Sequence, residues 1–244
     1  MKAGLLFVCA MALNAQIQAT VNHLPDGRDE VKIRNDSAID IIAFGVAAKR
    51  ATENVPNLGI AYDTDELVSV YSDPLIEAAS TPLRPGEERT VMEYAFDDRF
   101  GKHHRMIEDP VSAAGILADG KTIGDPVMLT KLILRRQNML LAVETAREAL
   151  ADAGGRNVPR KQLIEQFKRL TDLASRWYLP REQQVGRSLY QSIIGKLMDL
   201  PQGELGSPFP PSSFIEQETA ALSRQRLVLL RSQPGFADAA LLGK

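Results

Sequence analysis

The sequence predicts a segregated α+β chain. An N-terminal antiparallel β-sandwich of immunoglobulin- or fibronectin-like kind is expected over residues 20–125, then a helical C-terminal domain of about four helices over residues 126–244. Three observations predict it. Up to residue 125, short β-branched segments alternate apolar with polar residues between turn signals. Beyond it, apolar residues recur three, four and seven apart. Charge changes sign at the same place: residues 20–125 carry 11 Lys and Arg against 20 Asp and Glu, and residues 126–244 carry 17 against 11. The 244 residues are 44% hydrophobic and 25% charged, which excludes wholesale disorder and a polytopic membrane protein. Enough apolar material remains for a sizeable core.

The start of the chain is of a different kind. Met1-Lys2, the apolar run Ala3 to Leu13, and a polar stretch with Asn14, Gln16, Gln18 and the small residues Ala15 and Ala19 describe a secretory signal peptide. It is expected over residues 1–19, with Ala15 as the other cleavage point. The run falls short of the roughly 20 apolar residues that span a bilayer, so no stable membrane span is expected. Cys9 is the only cysteine and follows Phe7 and Val8 rather than the small residues of a lipoprotein signal. A processed chain then carries no thiolate, disulfide or cysteine-ligated metal. Export without disulfides points to a bacterial protein, periplasmic or extracellular.

Within the strand half, Val31 to Arg34 alternates as a half-solvated strand and Asn35-Asp36-Ser37 turns the chain. That tripeptide also matches the glycosylation acceptor pattern. Ile39 to Ala47 is apolar enough for a central strand, and Leu67 to Tyr71 is another β-branched patch. Arg50–Glu66 and Asp97–Pro110 read as connections. Pro85-Gly86 turns into a strand over Arg89 to Phe96. Val111 to Ala118 and Lys121 to Ile123 flank Asp119-Gly120, a pair suited to a type I′ hairpin.

In the helical half, Asp125-Pro126 is an N-cap followed by proline at the first helical position. The helix carries Leu129, Leu132, Ile133, Leu140, Val143 and Leu150, and Gly154-Gly155 is its expected stop. A second helix is expected over Pro159 to Tyr178 and a third over Arg181 to Leu200. Residues 201–211 read as a linker. Ser213 with Glu216 forms a capping-box pattern for a fourth helix reaching Ser232.

The search for reactive groups yields no catalytic, cofactor-binding or metal residue. No glycine-rich dinucleotide loop or phosphate loop occurs in the sequence. Gly186-Arg187-Ser188-Leu189-Tyr190 lacks the closing glycine of a nucleophile elbow. His103 and His104 stand between Lys102 and Arg105, whose charges oppose a metal, and His23 is alone. Asp63-Thr64-Asp65-Glu66 is oxygen-rich but lacks the spaced ligands and glycine of a calcium loop. Glu87-Glu88, Asp97-Asp98 and Glu108-Asp109 read as solvated loop acids. Arg135-Arg136 and Lys168-Arg169 read as pairs on exposed helix faces. Trp177 closes an amphipathic stripe as a core residue.

Ile33-Arg34-Asn35-Asp36-Ser37, the Pro85-Gly86-Glu87 turn, and Ile116-Leu117-Ala118-Asp119-Gly120 followed by Gly124-Asp125-Pro126 resemble a set of uncharacterised exported bacterial proteins. The likeness covers roughly residues 30–150 and rests on turn and cap chemistry. It implies export and a strand-then-helix order, and no activity.

The expectation is therefore a non-enzymatic exported protein that binds or assembles with another protein through a sheet edge or helix face. One alternative is a carboxylate-dependent hydrolase of cell-wall or polysaccharide material. The other is a binder of an anionic surface through the basic helices. Nucleic acid is not an expected partner. The opposite charges of the two halves also suggest that they dock on each other.

Overall fold

The computed structural model describes residues 16–50, 59–69, 82–94, 107–174, 185–200 and 209–233. Antiparallel sheets occupy the N-terminal half and helices the C-terminal half. The strands are β1 (Ile17–His23), β2 (Asp29–Asn35), β3 (Ile41–Arg50), β4 (Gly59–Asp65), β5 (Glu88–Tyr94), β6 (Ile107–Leu117) and β7 (Thr122–Gly124). The helices are α1 (Glu66–Ser69), α2 (Pro126–Arg156), α3 (Arg160–Ala174), α4 (Gly186–Asp199) and α5 (Ser212–Arg231). One sheet has the order β1-β2-β5 and the other β4-β3-β6-β7.

Period-two patterning decides which side of each strand is buried. In β2, Asp29, Val31, Ile33 and Asn35 face inward while Lys32 and Arg34 stay in contact with solvent. Val31 and Ile33 meet Ile41, Phe44, Val46 and Leu117 of the second sheet in one apolar cluster. The register of β3 on β6 shifts between Ile41 and Ala43. One extra residue reverses the faces of everything after it. Ile41, Phe44 and Val46 therefore point to the first sheet, whereas Ala43 joins Ile116 and Leu132 in a second cluster under α2.

The corner after β2 is fixed by polar chemistry. Asn35 is fully buried. Its amide donates to the carbonyls of Ile39 (2.9 Å) and Leu83 (2.8 Å), and its oxygen accepts from the Ser37 N–H (2.9 Å) and hydroxyl (2.7 Å). The Gly86 N–H reaches the Asn35 carbonyl at 2.8 Å, so the Pro85-Gly86 turn is anchored on the same residue. A buried amide is stable here because all its groups are paired.

Several elements differ from expectation. The stretch taken as a loop to Glu66 contains β4, whose ladder with β3 runs from Gly59 to Asp65. Leu67 and Val68 lie in the short helix α1 instead of a strand, because the Asp65 carboxylate accepts the Leu67 N–H (2.9 Å) and starts a helical turn. β1 begins at Ile17, inside the stretch assigned to the leader. β6 begins at Ile107, so Pro110 stands within a strand, at the register shift opposite Ala47 to Lys49. A bulge is where a strand tolerates proline. The β6–β7 hairpin is not type I′: Gly120 alone has positive φ (85°), and its N–H bonds the Leu117 carbonyl at 2.9 Å. This is a type I turn followed by a left-handed glycine.

Asp125 caps α2 as expected, accepting from the N–H groups of Val127 (2.9 Å) and Met128 (3.0 Å). Gly154 and Gly155 do not end it; the helix continues to Arg156 and closes on Asn157 in the left-handed region (φ 51°). α5 opens without a capping box. Pro211 is its N-cap residue and Ser213 already lies inside the first turn. The pair Pro210-Pro211 presets φ for the helix start. α4 spans Gly186–Asp199, and the expected positions Arg181 to Gln184 lie outside the described residues, as do Ser175 to Tyr178.

At about 1.5 Å per residue, the 31 residues of α2 extend roughly 46 Å. Its first turns lie on β3 and β6, and its later turns pack against α4 and α5. Met139, Val143, Ala146 and Leu150 share a core with Leu163, Phe167, Leu189, Ile193, Leu197, Leu222 and Leu229. The helices are also pinned by charge: Lys196 holds Glu218 (2.8 Å), and Arg226 holds Glu144 (2.9 Å). Arg160 caps the end of α4 by donating to the carbonyls of Met198 and Leu200, both at 2.9 Å.

Candidate functional site

The acidic segment Asp63-Thr64-Asp65-Glu66 comes to lie at the end of β4, facing α2. Two of its carboxylates are engaged by arginines. Arg136 donates from Nε to Asp65 Oδ2 (2.6 Å) and from Nη2 to Asp65 Oδ1 (3.1 Å), and its Nη1 reaches the Ser232 carbonyl at 2.9 Å. Both side chains are fully buried. Arg135 lies 3.1 Å from Asp63 Oδ1, an ion pair without hydrogen-bond alignment. The segment thus joins the two halves of the chain. Glu66 sits beside this pair; burial raises its carboxyl above the usual range, and the charges of Asp65 and Asp40 push the same way against Arg136.

Reading Arg135-Arg136 as an exposed pair is corrected for both residues: the Arg136 side chain is fully buried and that of Arg135 only 12% exposed. The signal was in the spacing. Arg136 falls on the buried stripe Met128, Leu132, Met139, Val143, where a leucine would ordinarily stand. An arginine on such a stripe calls for a buried carboxylate opposite. Nothing in the one-dimensional sequence says that the partner is Asp65, 71 positions away.

His23 Nδ1 lies 2.6 Å from Asp29 Oδ1, and Asp29 Oδ2 accepts the Ile107 N–H at 3.0 Å. This carboxylate therefore closes the β1–β2 ladder and fixes the start of β6. Glu87 accepts from Arg89 (2.6 Å) and from the Arg84 N–H (2.9 Å), and Glu88 lies 3.7 Å from Lys32. Ser188 donates weakly to the Val185 carbonyl at 3.4 Å in the first turn of α4, which is no strand-to-helix elbow. His103, His104, Asp97, Asp98, Trp177 and Tyr178 lie outside the described residues, as do the side chains of Glu108 and Asp109. Among the described residues, no three His, Cys, Asp or Glu side chains are grouped to hold a metal ion.

A depression of about 320 Å³ lies on the outer face of α3, lined by Gln162, Glu165, Gln166 and Arg169. Among the described residues lining it, Glu165 supplies the carboxylate. Glu165 is held by Lys168 at 2.9 Å, which lowers its pKa below the usual range.

A second surface feature among the described residues is a stripe on α2. Val127, Leu134 and Leu141 are 67%, 44% and 61% exposed. Seven residues are nearly two full turns, so the three share one face over about 21 Å. Three polar side chains along it turn back onto the helix: Thr130, Asn138 and Thr145 donate to the carbonyls of Pro126, Leu134 and Leu141, each at 2.9 Å, while Lys131 and Gln137 flank the row exposed. Such bonds reduce the demand of this face for water.

No helix among the described residues is long and apolar enough to cross a membrane. Compared with known families, curated proteins and solved structures, the chain matches none.

Proposed function

We propose that this is an exported bacterial protein, periplasmic or extracellular, that acts by binding or assembling with another protein rather than by catalysis. In this reading the two sheets form a sandwich of fibronectin-like arrangement. The orders β1-β2-β5 and β4-β3-β6-β7, together with the apolar cluster shared by both sheets, support it.

The observation that carries the binding reading is the exposed stripe of Val127, Leu134 and Leu141. An exposed apolar row gains from being covered by a complementary apolar face, and Thr130, Asn138 and Thr145 beside it are already bonded to the helix backbone. The hydrolase reading draws less support, since among the described residues the depression on α3 presents Glu165 alone and that carboxylate is paired with Lys168. So does the anionic-surface reading, because six of the 17 Lys and Arg of residues 126–244, namely Arg135, Arg136, Arg156, Lys168, Lys196 and Arg226, are engaged by acids of the same chain.

The test is affinity capture from the periplasm and medium of the native host, comparing the wild-type chain with the double variant Leu134→Asp, Leu141→Asp. Both positions are exposed, so the variant is expected to keep its circular dichroism spectrum and melting temperature. A specific protein retained by the wild type and lost with the variant is the expected result. Equal retention by both chains, or none by either, refutes the assignment of this face.

A further inference from the structure

We infer that the leader is removed between Ala15 and Gln16, and not after Ala19; this rests on the export reading above. Leader peptidases cut after a small residue, which Ala15 and Ala19 both supply, and favour another two positions earlier, where Leu13 and Ile17 stand in turn. Ala12 is also small but stands within the apolar run, ahead of the polar Asn14. Sequence alone does not separate Ala15 from Ala19, whereas the fold does.

Gln16 is already part of the fold. The Gln16 carbonyl accepts the Asp36 N–H at 3.0 Å. Ile17, Gln18 and Ala19 pair with Asn35, Arg34 and Ile33 in an unbroken antiparallel register that continues to His23. Ile17 is only 5% exposed and belongs to the cluster that joins the two sheets. A methyl group added at Gly115 would meet its Cδ1 at 3.3 Å, so the side chain fills the space that this glycine leaves open. Cutting after Ala19 would delete three of the seven residues of β1 and a buried core side chain. Cutting after Ala15 leaves the strand whole and starts the chain on an exposed residue, where the new ammonium group is solvated.

The step is a hydrolysis by the membrane-bound leader peptidase of the exporting cell. Water adds to the Ala15 carbonyl carbon and the C–N bond to Gln16 breaks. The oxygen remains on Ala15 as a carboxylate, and the protons pass to the Gln16 nitrogen as its ammonium group.

The test expresses the full chain with a C-terminal tag in a Gram-negative host and determines its N-terminus by mass spectrometry after separating periplasm from cytoplasm. A periplasmic chain beginning at Gln16, or at its cyclised pyroglutamyl form, is expected. A periplasmic chain with any other start, Thr20 above all, overturns the inference while leaving export standing. A chain found only in the cytoplasm and retaining residues 1–15 overturns both. In the same experiment Ala15→Leu should accumulate precursor and Ala19→Val should be processed as the wild type is. The reverse pattern overturns the assignment to Ala15.

Discussion

Arg136 is the residue on which the joint between the two halves depends. Its guanidinium is fully buried and bound to Asp65 and to the Ser232 carbonyl. Removing one member of a buried pair leaves the other charge without compensation and costs about 3–5 kcal/mol. Arg136→Met is therefore expected to lower the urea unfolding midpoint sharply. Arg136→Met combined with Asp65→Leu should cost less than Arg136→Met alone, since no lone charge then remains. Glu66, next in sequence, behaves in the opposite sense. Burial first, then the Asp65 charge, raises its folded-state pKa. The folded chain keeps this proton to higher pH than the unfolded chain, so stability is lost as pH rises from the ordinary glutamate value through the folded one. Glu66→Gln should match the wild type below that window and become the more stable chain above it, as followed by denaturant unfolding across pH.

At the level of elements, the junction between β7 and α2 sets how the helices meet the sheet. Gly124 has φ 93°, and a Cβ there would stand 2.2 Å from the Ala113 carbonyl oxygen. The next residue donates its N–H to that same oxygen at 2.8 Å and then caps α2. Strain and clash act together at this position, so Gly124→Ala is expected to cost more than about 3 kcal/mol in thermal or denaturant unfolding. Gly155→Ala is the matched control. It lies in helix α2 with open space around it and should be neutral or stabilise by about 0.5–1 kcal/mol. Proline and aspartate marked the start of α2 in the sequence because capping is local chemistry. The helix closes two residues beyond the glycines because Asn157, rather than either of them, takes the left-handed conformation that ends it. β4 was hidden for a related reason. An acidic edge strand looks like a loop until the arginines of another element are placed against it.

Across the whole molecule, two properties were legible in the sequence: the change of period near residue 125 and the change of charge sign that accompanies it. The first follows from side-chain geometry, which any stretch of chain carries within itself. The second foreshadowed the contact between the halves, where Asp63 and Asp65 meet Arg135 and Arg136. What was not legible depends on pairing across distance. The exposed stripe on α2 is apolar like its buried face, and only the packing of α4 and α5 tells the two apart.

The burial of Asn35 carries a practical consequence. Asn35-Asp36-Ser37 is a substrate for oligosaccharide transfer in yeast or animal cells, where sugar is attached as the chain emerges and before strands pair. A glycan on that nitrogen would replace one of the two hydrogens donated to the Ile39 and Leu83 carbonyls, and it has no path out of the interior. Recombinant material made in such cells would be sugar-blocked at its central corner, whereas a host lacking that machinery delivers a chain free to close.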